Sequence, residues 1–170
     1  CEGLAASGVD LLDLTMGEDP LVHDEPGHRA LLGLVSAIRA ATGLPVMVSP
    51  GVLPEGALRG LRAAGADWYA LYQETHTEEL YARLRVGQAF AARVASRRAA
   101  RGAGLLVEDG MLTGIGDTAA DRSRSVATMR DEGWEQVRVM TFVPQEGTPL
   151  AGLPPQPDLA ELLAIAVLRL

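Results

Sequence analysis

The sequence predicts an α/β fold, a partial (β/α) TIM-type barrel of about five consecutive βα units. Short apolar runs typical of buried strands alternate with longer stretches of helical periodicity, and each strand–helix pair takes about 30 residues. Polar residues follow the strands at their carboxyl ends, which favours one mouth shared by all the loops. No G-x-G-x-x-G follows the first strand, so an open dinucleotide-binding sheet is disfavoured.

Strands and helices can be placed along the chain from these patterns. Strands are predicted near residues 10–15, 45–49, 67–72, 104–113 and 136–142, and helices near 27–42, 54–65, 89–102 and 118–131. The spacing in the first of these helices puts one set of residues on a common face, namely Leu31, Leu34, Val35, Ile38 and Ala41. Asp117 and Thr118 mark the start of the helix at 118–131, with Asp121 in its first turn.

Both ends of the chain have the pattern of interrupted helices. Residues 1–7 are typical of the last turns of a helix that Gly8 closes, and the apolar stretch from Asp158 to Leu170 carries no stop signal. The Pro-rich segment 144–157 is interpreted as a connecting loop and not as a domain linker. We therefore expect residues 1–170 to form a single incomplete barrel domain that is truncated at both ends.

Composition narrows the class of protein and its partners. Apolar residues make up 48% and charged residues 22%, as in a globular domain with a substantial core. The net charge of −7 argues against nucleic acid or an anionic membrane as a partner. The single cysteine, Cys1, excludes an intrachain disulfide and an all-cysteine metal site within these residues. We expect a cytoplasmic location.

The turn after the first strand is the most informative candidate site. Gly17 lets a ligand approach the backbone and Glu18 could accept from an ammonium group, although a plain turn with a solvated acid fits equally well. Asp13 and Asp10 lie three positions apart and therefore point to opposite faces of the strand. Asp13 near the mouth would suit a substrate amine, with a capping or salt-bridging role as the alternative.

Polar residues also follow the second and third strands. Ser49 can donate to a carboxylate, but Ser-Pro-Gly at 49–51 is common turn chemistry, which the residues alone favour. Four polar residues at 73–76 come directly after a buried strand, and this placement favours a function. A metal site at His76 has weak support, because the other two histidines lie in a different loop.

Two groups of arginines differ in what they indicate. Arg97 and Arg98, on the helix at 89–102, are interpreted as a solvated face, whereas Arg93 on the same helix could face the mouth. Arg138 lies within the apolar fifth strand, where a buried guanidinium requires an anionic partner. That partner is a strand-end carboxylate or a ligand carboxylate, so Arg138 is the strongest single-residue case for binding.

Four segments together resemble a known family: Asp13–Pro20, Gln73–His76, Leu84–Gln88 and Val137–Leu150. They are similar to the methylornithine synthase family of radical S-adenosylmethionine (SAM) enzymes, whose group also contains biotin synthase and hydrogenase-maturation enzymes. The resemblance covers nearly the whole chain. It implies a (β/α) barrel with the reaction at its C-terminal mouth.

The resemblance also implies roles for individual residues. By this resemblance, Gly17 and Glu18 bind the methionyl amino group of SAM, and Ser49 and Arg93 bind its carboxylate. Glu74 contacts the methionine or ribose part of SAM. Substrate binding falls to Asp13 and Arg138, which would hold the amine and the carboxylate of an amino acid. No residue is assigned as a catalytic group or as a metal ligand.

The activity that the resemblance implies is a radical SAM mutase reaction, the conversion of L-lysine to 3-methylornithine for pyrrolysine biosynthesis. The implied cofactors are SAM and a 4Fe-4S cluster served by an electron donor. One cysteine cannot supply the three cluster ligands, so we expect these upstream and expect the segment alone to be inactive. The alternatives are a related radical SAM enzyme with another amino-acid-like substrate, or a cluster-free SAM-binding scaffold.

Overall fold

A computed structural model describes residues 1–154 and 158–170 of the chain. The chain divides into two compact units, one of residues 1–71 and 91–108, the other of residues 72–90 and 109–170. Residues 155–157 of the Pro-rich loop predicted at 144–157 lie outside the described residues. The expectation of one incomplete domain stays a prediction.

Strands and helices alternate along the first unit. Its elements are α1 (Glu2–Ala6), β1 (Leu12–Thr15), a short 3-10 turn (Pro20–Val22), α2 (Glu25–Thr42), β2 (Val46–Ser49), α3 (Glu55–Ala64), β3 (Trp68–Ala70) and α5 (Phe90–Gly102), with the start of β4 (Leu106–Thr113). Neighbouring strands follow chain order, and each pair is parallel. Every strand and long helix predicted for this region is confirmed.

The register of the first unit separates the two faces of its sheet. Leu12 pairs with Val46, and both are buried, whereas Asp13 pairs with Met47 on the opposite face. The helix α2 buries Leu31, Val35 and Ile38, which lie on one stripe. The predicted α2 face was therefore too wide: Leu34 is 48% exposed and Ala41 is exposed as well.

The second unit contains the rest of β4 with α4 (Glu78–Leu84), α6 (Ala119–Glu132), β5 (Gln136–Thr141) and α7 (Asp158–Leu168). Here β5 is the sheet neighbour of β4. Helix α4 was not predicted, because it has only seven residues and follows directly on a polar segment. It forms around two buried side chains, Leu80 and Tyr81. Across the described part of the chain, no helix combines the length and apolar character that crossing a membrane requires.

Helix α6 begins with a capping box, as the sequence predicted. The Thr118 hydroxyl accepts from the Asp121 backbone N–H, and the Asp121 carboxylate accepts from the Thr118 backbone N–H at 2.8 Å. Asp121 also accepts from the hydroxyl of Thr77 at 2.7 Å. Hydrogen bonds from Thr77 and then Thr118 lower the pKa of Asp121 from its ordinary 3.8 to about 2. The carboxylate is thus held in its charged form at the start of the helix.

Removing this cap should destabilise the protein in a pH-dependent way. We expect Thr118→Ala to lower the free energy of unfolding by about 1 kcal/mol at neutral pH. Because the folded-state pKa of Asp121 is depressed, its stabilising effect is present above about pH 4 and is lost as the pH falls toward 2. Urea titrations at pH 7 and pH 2.5 measure both effects. Ser123→Ala on the exposed side of α6 is the control, and an equal loss in that variant would contradict the capping role.

Candidate functional site

In the first unit, the loop after β1 and helix α5 bring two predicted residues together. The Glu18 carboxylate accepts a hydrogen bond from the Arg93 guanidinium. The Arg93 side chain is only 4% exposed, whereas that of Glu18 is 30% exposed. A guanidinium this deeply buried needs an anionic neighbour, and Glu18 is one. A carboxylate and a guanidinium therefore lie side by side at the carboxyl end of the strands.

The other predicted residues of the first unit lie on β1, in the turn after it and at the end of β2. Ser49 ends β2 opposite Thr15, and its carbonyl oxygen accepts from the Met16 backbone N–H at 3.4 Å. Gly17 has a φ of +60°, a left-handed conformation that favours glycine at this turn. Asp13 is exposed on β1, on the strand face away from Leu12. It is accessible to a ligand.

One arginine of α5 departs from its predicted solvated position. Arg97 is only 1% exposed, and its guanidinium donates to the Leu71 carbonyl at 2.7 Å. Arg98 is exposed as predicted. The sequence could not separate these two neighbours, because helical spacing alone does not say which side of α5 packs against the end of β3.

In the second unit, the segment after β3 is more buried than an ordinary strand-end loop. Gln73, Glu74, Thr75 and His76 are all less than 10% exposed. Glu74 has a φ of +68°, and among the described residues it is the one non-glycine with a positive φ. Its backbone N–H donates to Gly110 at 3.0 Å, and its carbonyl accepts from Leu112 at 2.9 Å. These two bonds hold an unfavourable backbone conformation that costs on the order of 1–2 kcal/mol.

This backbone conformation directs the Glu74 carboxylate toward the loop after α4, where it accepts from the Arg85 guanidinium. Arg85 belongs to the segment Leu84–Gln88 that carried part of the family resemblance. Glu74 thus has a charged partner within its own unit. Glu74 carries the one carboxylate among the four polar residues at 73–76, and its partner is Arg85.

Asp109 of β4 anchors both ends of the segment 73–76. One carboxylate oxygen accepts from the backbone N–H of Gln73 at 2.9 Å and of Gly110 at 2.7 Å. The other oxygen lies 3.2 Å from His76 Nε2, and both side chains are essentially inaccessible to solvent. Since an ionised carboxylate only accepts, His76 donates from Nε2. His76 therefore has a structural partner.

Arg138 of β5 is less buried than the sequence predicted. Its side chain is partly exposed, and its guanidinium carbon lies 5.4 Å from the centre of the Tyr72 ring. This distance is typical of a cation–π contact. The expectation of a largely buried guanidinium was wrong, because β5 residues are only partly covered.

The described residues do not fit a 4Fe-4S cluster. Cys1 is the one cysteine and is exposed. In the described part of the chain, no group of three or more His, Cys, Asp or Glu side chains is arranged to hold a metal ion. The Glu18–Arg93 pair does fit the amino-acid part of SAM, because a carboxylate complements an ammonium group and a guanidinium complements a carboxylate.

Sequence reasoning missed the contacts of three residues: Gly51, which lies against Glu18, Tyr69, which donates to Gly51, and Ser96, which hydrogen-bonds with Tyr69. Gly51 was visible as a turn residue, but its contact with Glu18 was not. Tyr69 and Ser96 look like ordinary strand and helix residues in the sequence. Nothing in the local pattern of either residue indicates a buried hydroxyl next to a binding loop.

Comparison with known proteins first defines the class. No family model matches the chain. Biotin synthase from Heliobacterium modesticaldum is 32% identical over 140 residues, which cover 82% of this chain and 43% of that protein. The hydrogenase maturase HydG shares the fold, with a TM-score of 0.81 over 99% of this chain at 17% identity. Together with the five parallel strands, these matches confirm a partial (β/α) barrel of the radical SAM class.

Within that class the chain is similar along its full length to methylornithine synthases. The 3-methylornithine synthase of Methanosarcina acetivorans is 45% identical over all 170 residues. A crystal structure of methylornithine synthase matches 99% of the chain with a TM-score of 0.93 at 46% identity. The chain spans about half the length of these relatives, 48% and 50% respectively. The predicted family resemblance is confirmed.

Because Arg93 is buried, the Glu18–Arg93 pair should contribute more to the free energy of unfolding than an exposed ion pair. We expect Glu18→Gln to lower the free energy of unfolding by about 1–3 kcal/mol, because Arg93 loses an anionic neighbour. The control is Glu55→Gln, whose pair with Arg59 is more than 60% exposed on both sides and should contribute less than about 1 kcal/mol. Urea unfolding of the three proteins measures the difference. Equal losses would show that burial of Arg93 does not matter.

Asp109 should be essential for the order of the segment 73–76. We expect Asp109→Ala to cost about 3 kcal/mol and to accelerate amide hydrogen exchange at Gln73 and Gly110, which lose their acceptor. Asp131→Ala, which removes an exposed pair with Arg130, is the control. Unchanged exchange at both amides in the Asp109 variant would contradict the anchoring role.

Proposed function

We propose that the whole protein is a radical SAM mutase that converts L-lysine to 3-methylornithine. The observation that carries this proposal is the Glu18–Arg93 pair, found in a chain that is similar along its full length to 3-methylornithine synthase. The pair presents opposite charges to a ligand that carries an ammonium and a carboxylate on one carbon. SAM, when bound, supplies the group that initiates hydrogen abstraction from the substrate.

The residues of the first unit are proposed to hold the amino-acid end of SAM. Glu18 accepts from the ammonium, while Arg93 and the Ser49 hydroxyl donate to the carboxylate. Gly17 gives the turn its left-handed φ of +60°, which favours glycine, and the space beside it is open, because a Cβ placed there would meet nothing within 4 Å. Binding converts one ion pair into two, so no charge is left buried without a counter-charge.

The remaining assignments are proposed from the resemblance and from charge. Glu74 contacts the methionine or ribose part of SAM, Asp13 accepts from the substrate amine, and Arg138 donates to the substrate carboxylate. The ligands of a 4Fe-4S cluster are proposed to come from outside these residues, together with an electron donor. A cytoplasmic location is proposed as well, and the net charge of −7 supports a protein without nucleic-acid or anionic-membrane partners.

The experiment is an anaerobic assay of the whole protein with a reconstituted cluster, a chemical reductant, SAM and L-lysine. We expect 5′-deoxyadenosine, methionine and 3-methylornithine by mass spectrometry. Cleavage of SAM with a different amino acid and none with lysine would replace lysine as the substrate. Binding of SAM without cleavage would instead support the scaffold alternative.

Two variants separate the proposed sites. Glu18→Gln should weaken SAM binding by about 10- to 100-fold, the value of one charge-assisted hydrogen bond, and leave the amino-acid KM nearly unchanged. Arg138→Ala should raise the amino-acid KM by a similar factor and leave SAM binding intact. Isothermal titration and steady-state kinetics measure the two effects. Arg59→Ala on the exposed side of α3 is the control, and a reversed pattern would refute these assignments.

A further inference from the structure

Gly51 and Glu18 share a space that only one side chain can occupy. Gly51 is buried in the turn after β2 and has a φ of +85°. A Cβ at this position would lie 2.3 Å from the Cγ atom of Glu18 and 3.1 Å from its Cδ atom. Any side chain at position 51 would therefore displace the stem of Glu18. The place of the Glu18 carboxylate depends on the lack of a side chain at Gly51.

A buried tyrosine forms a hydrogen bond with the backbone of this turn. The hydroxyl of Tyr69, a fully buried residue of β3, donates to the Gly51 carbonyl at 2.6 Å. Burial raises the pKa of Tyr69 to about 12, although its hydrogen bond with Ser96 opposes this effect. Tyr69 is therefore a protonated donor throughout the physiological range. The turn cannot shift without breaking a buried hydrogen bond.

A second hydroxyl extends this contact to helix α5. Ser96 Oγ lies 2.8 Å from the Tyr69 hydroxyl and accepts from the Leu53 backbone N–H at 3.4 Å. Tyr69 uses its proton on Gly51, so the Ser96 proton has two acceptors within reach, the Tyr69 oxygen at 2.8 Å and the Leu53 carbonyl at 3.3 Å. With either acceptor, hydrogen-bond contacts run from Leu53 through Ser96 and Tyr69 to Gly51.

This hydrogen-bond chain leads to Arg93. Ser96 and Arg93 are three residues apart on α5 and lie on the same buried side, at 5% and 4% exposure. The turn that accommodates Glu18 and the helix turn that carries Arg93 are thus fixed to each other by Tyr69 and Ser96. All of these residues belong to the first unit.

We propose that Gly51, Tyr69 and Ser96 are positioning residues for the amino-acid end of SAM. They fix the turn next to Glu18 relative to the helix turn that carries Arg93, so that both side chains can reach the ammonium and the carboxylate of a single ligand. Such recognition requires charged groups to be held within about 0.5 Å of the productive geometry. The inference rests on the proposed function, because it takes SAM as the ligand of the pair.

The test measures binding of two ligands to the whole protein by isothermal titration. SAM carries the amino-acid end, whereas 5′-deoxyadenosine lacks it. We expect Gly51→Ala to weaken SAM binding by about 30-fold, as expected for a misplaced charged contact. We expect Tyr69→Phe to weaken it by about 5-fold, as for one neutral hydrogen bond. Binding of 5′-deoxyadenosine should stay within about twofold in both variants, because distant contacts act independently.

Two controls separate positioning from general damage. Gly43→Ala substitutes a glycine with a φ of +66° and open space around it, so it reproduces the backbone strain without the clash. Tyr81→Phe removes the hydroxyl of a different buried tyrosine, which belongs to the second unit. Both should bind SAM within about twofold of the natural protein. If Gly51→Ala does not fold, the Tyr69→Phe variant tests the positioning role alone. Selective loss of SAM binding with faster amide hydrogen exchange at Leu53 supports the role, and unchanged SAM binding contradicts it.

The outcomes distinguish the inference from the proposed function. If the natural protein does not bind SAM, the proposed function fails and the inference fails with it. If it binds SAM but Gly51→Ala and Tyr69→Phe weaken both ligands equally, the residues are merely structural and the positioning role is wrong. Selective loss of SAM binding in these two variants, with unchanged controls, supports the inference.

Discussion

The arrangement of the first unit depends on how a buried guanidinium is neutralised. Arg93 is carried by α5 into a place where 4% of its side chain reaches solvent, and a charge there is tolerated only beside an opposite charge. Glu18 provides it from the loop after β1. The surrounding features serve this contact, since Gly17 permits the turn and Gly51 leaves space for the carboxylate stem. The two charges of this pair balance each other without a ligand, and the site remains balanced when a ligand with both charges binds.

The second unit applies the same constraint to a different segment. Asp109 is buried, and its oxygens are used by two backbone N–H groups and by His76. With the segment after β3 anchored in this way, Glu74 adopts a left-handed backbone conformation that a free loop would avoid. Its carboxylate is consequently directed toward Arg85. In each unit, a glutamate of a candidate site is therefore paired with an arginine. Buried hydrogen bonds position the neighbouring backbone, that of Gly51 in the first unit and that of Gln73 in the second.

These contacts give the similarity to methylornithine synthases a physical content. The match is 45% identical across the chain, but identity alone does not say what any residue does. The geometry shows which of the proposed residues are buried in an ion pair and which are exposed to solvent. Glu18 and Arg93 are fixed, as suits a cofactor that is always the same. Asp13 is exposed and Arg138 partly exposed, which suits contacts that a substrate completes on binding.

Local pattern alone determined the order of strands and helices, the capping box of α6 and the strand-end position of Glu18, because periodicity and capping depend on neighbours in the chain. The family motifs likewise lie in continuous segments. Tertiary structure alone decided that Arg97 is buried while Arg98 is solvated, that α2 buries a narrower face than its spacing predicted, and that seven residues after a polar segment form α4. It also decided that Gly51 lies against Glu18 and that Tyr69 and Ser96 connect Gly51 to α5 by hydrogen bonds. These outcomes depend on contacts between residues distant in the chain, and no local pattern records which side of a helix will meet the end of a strand.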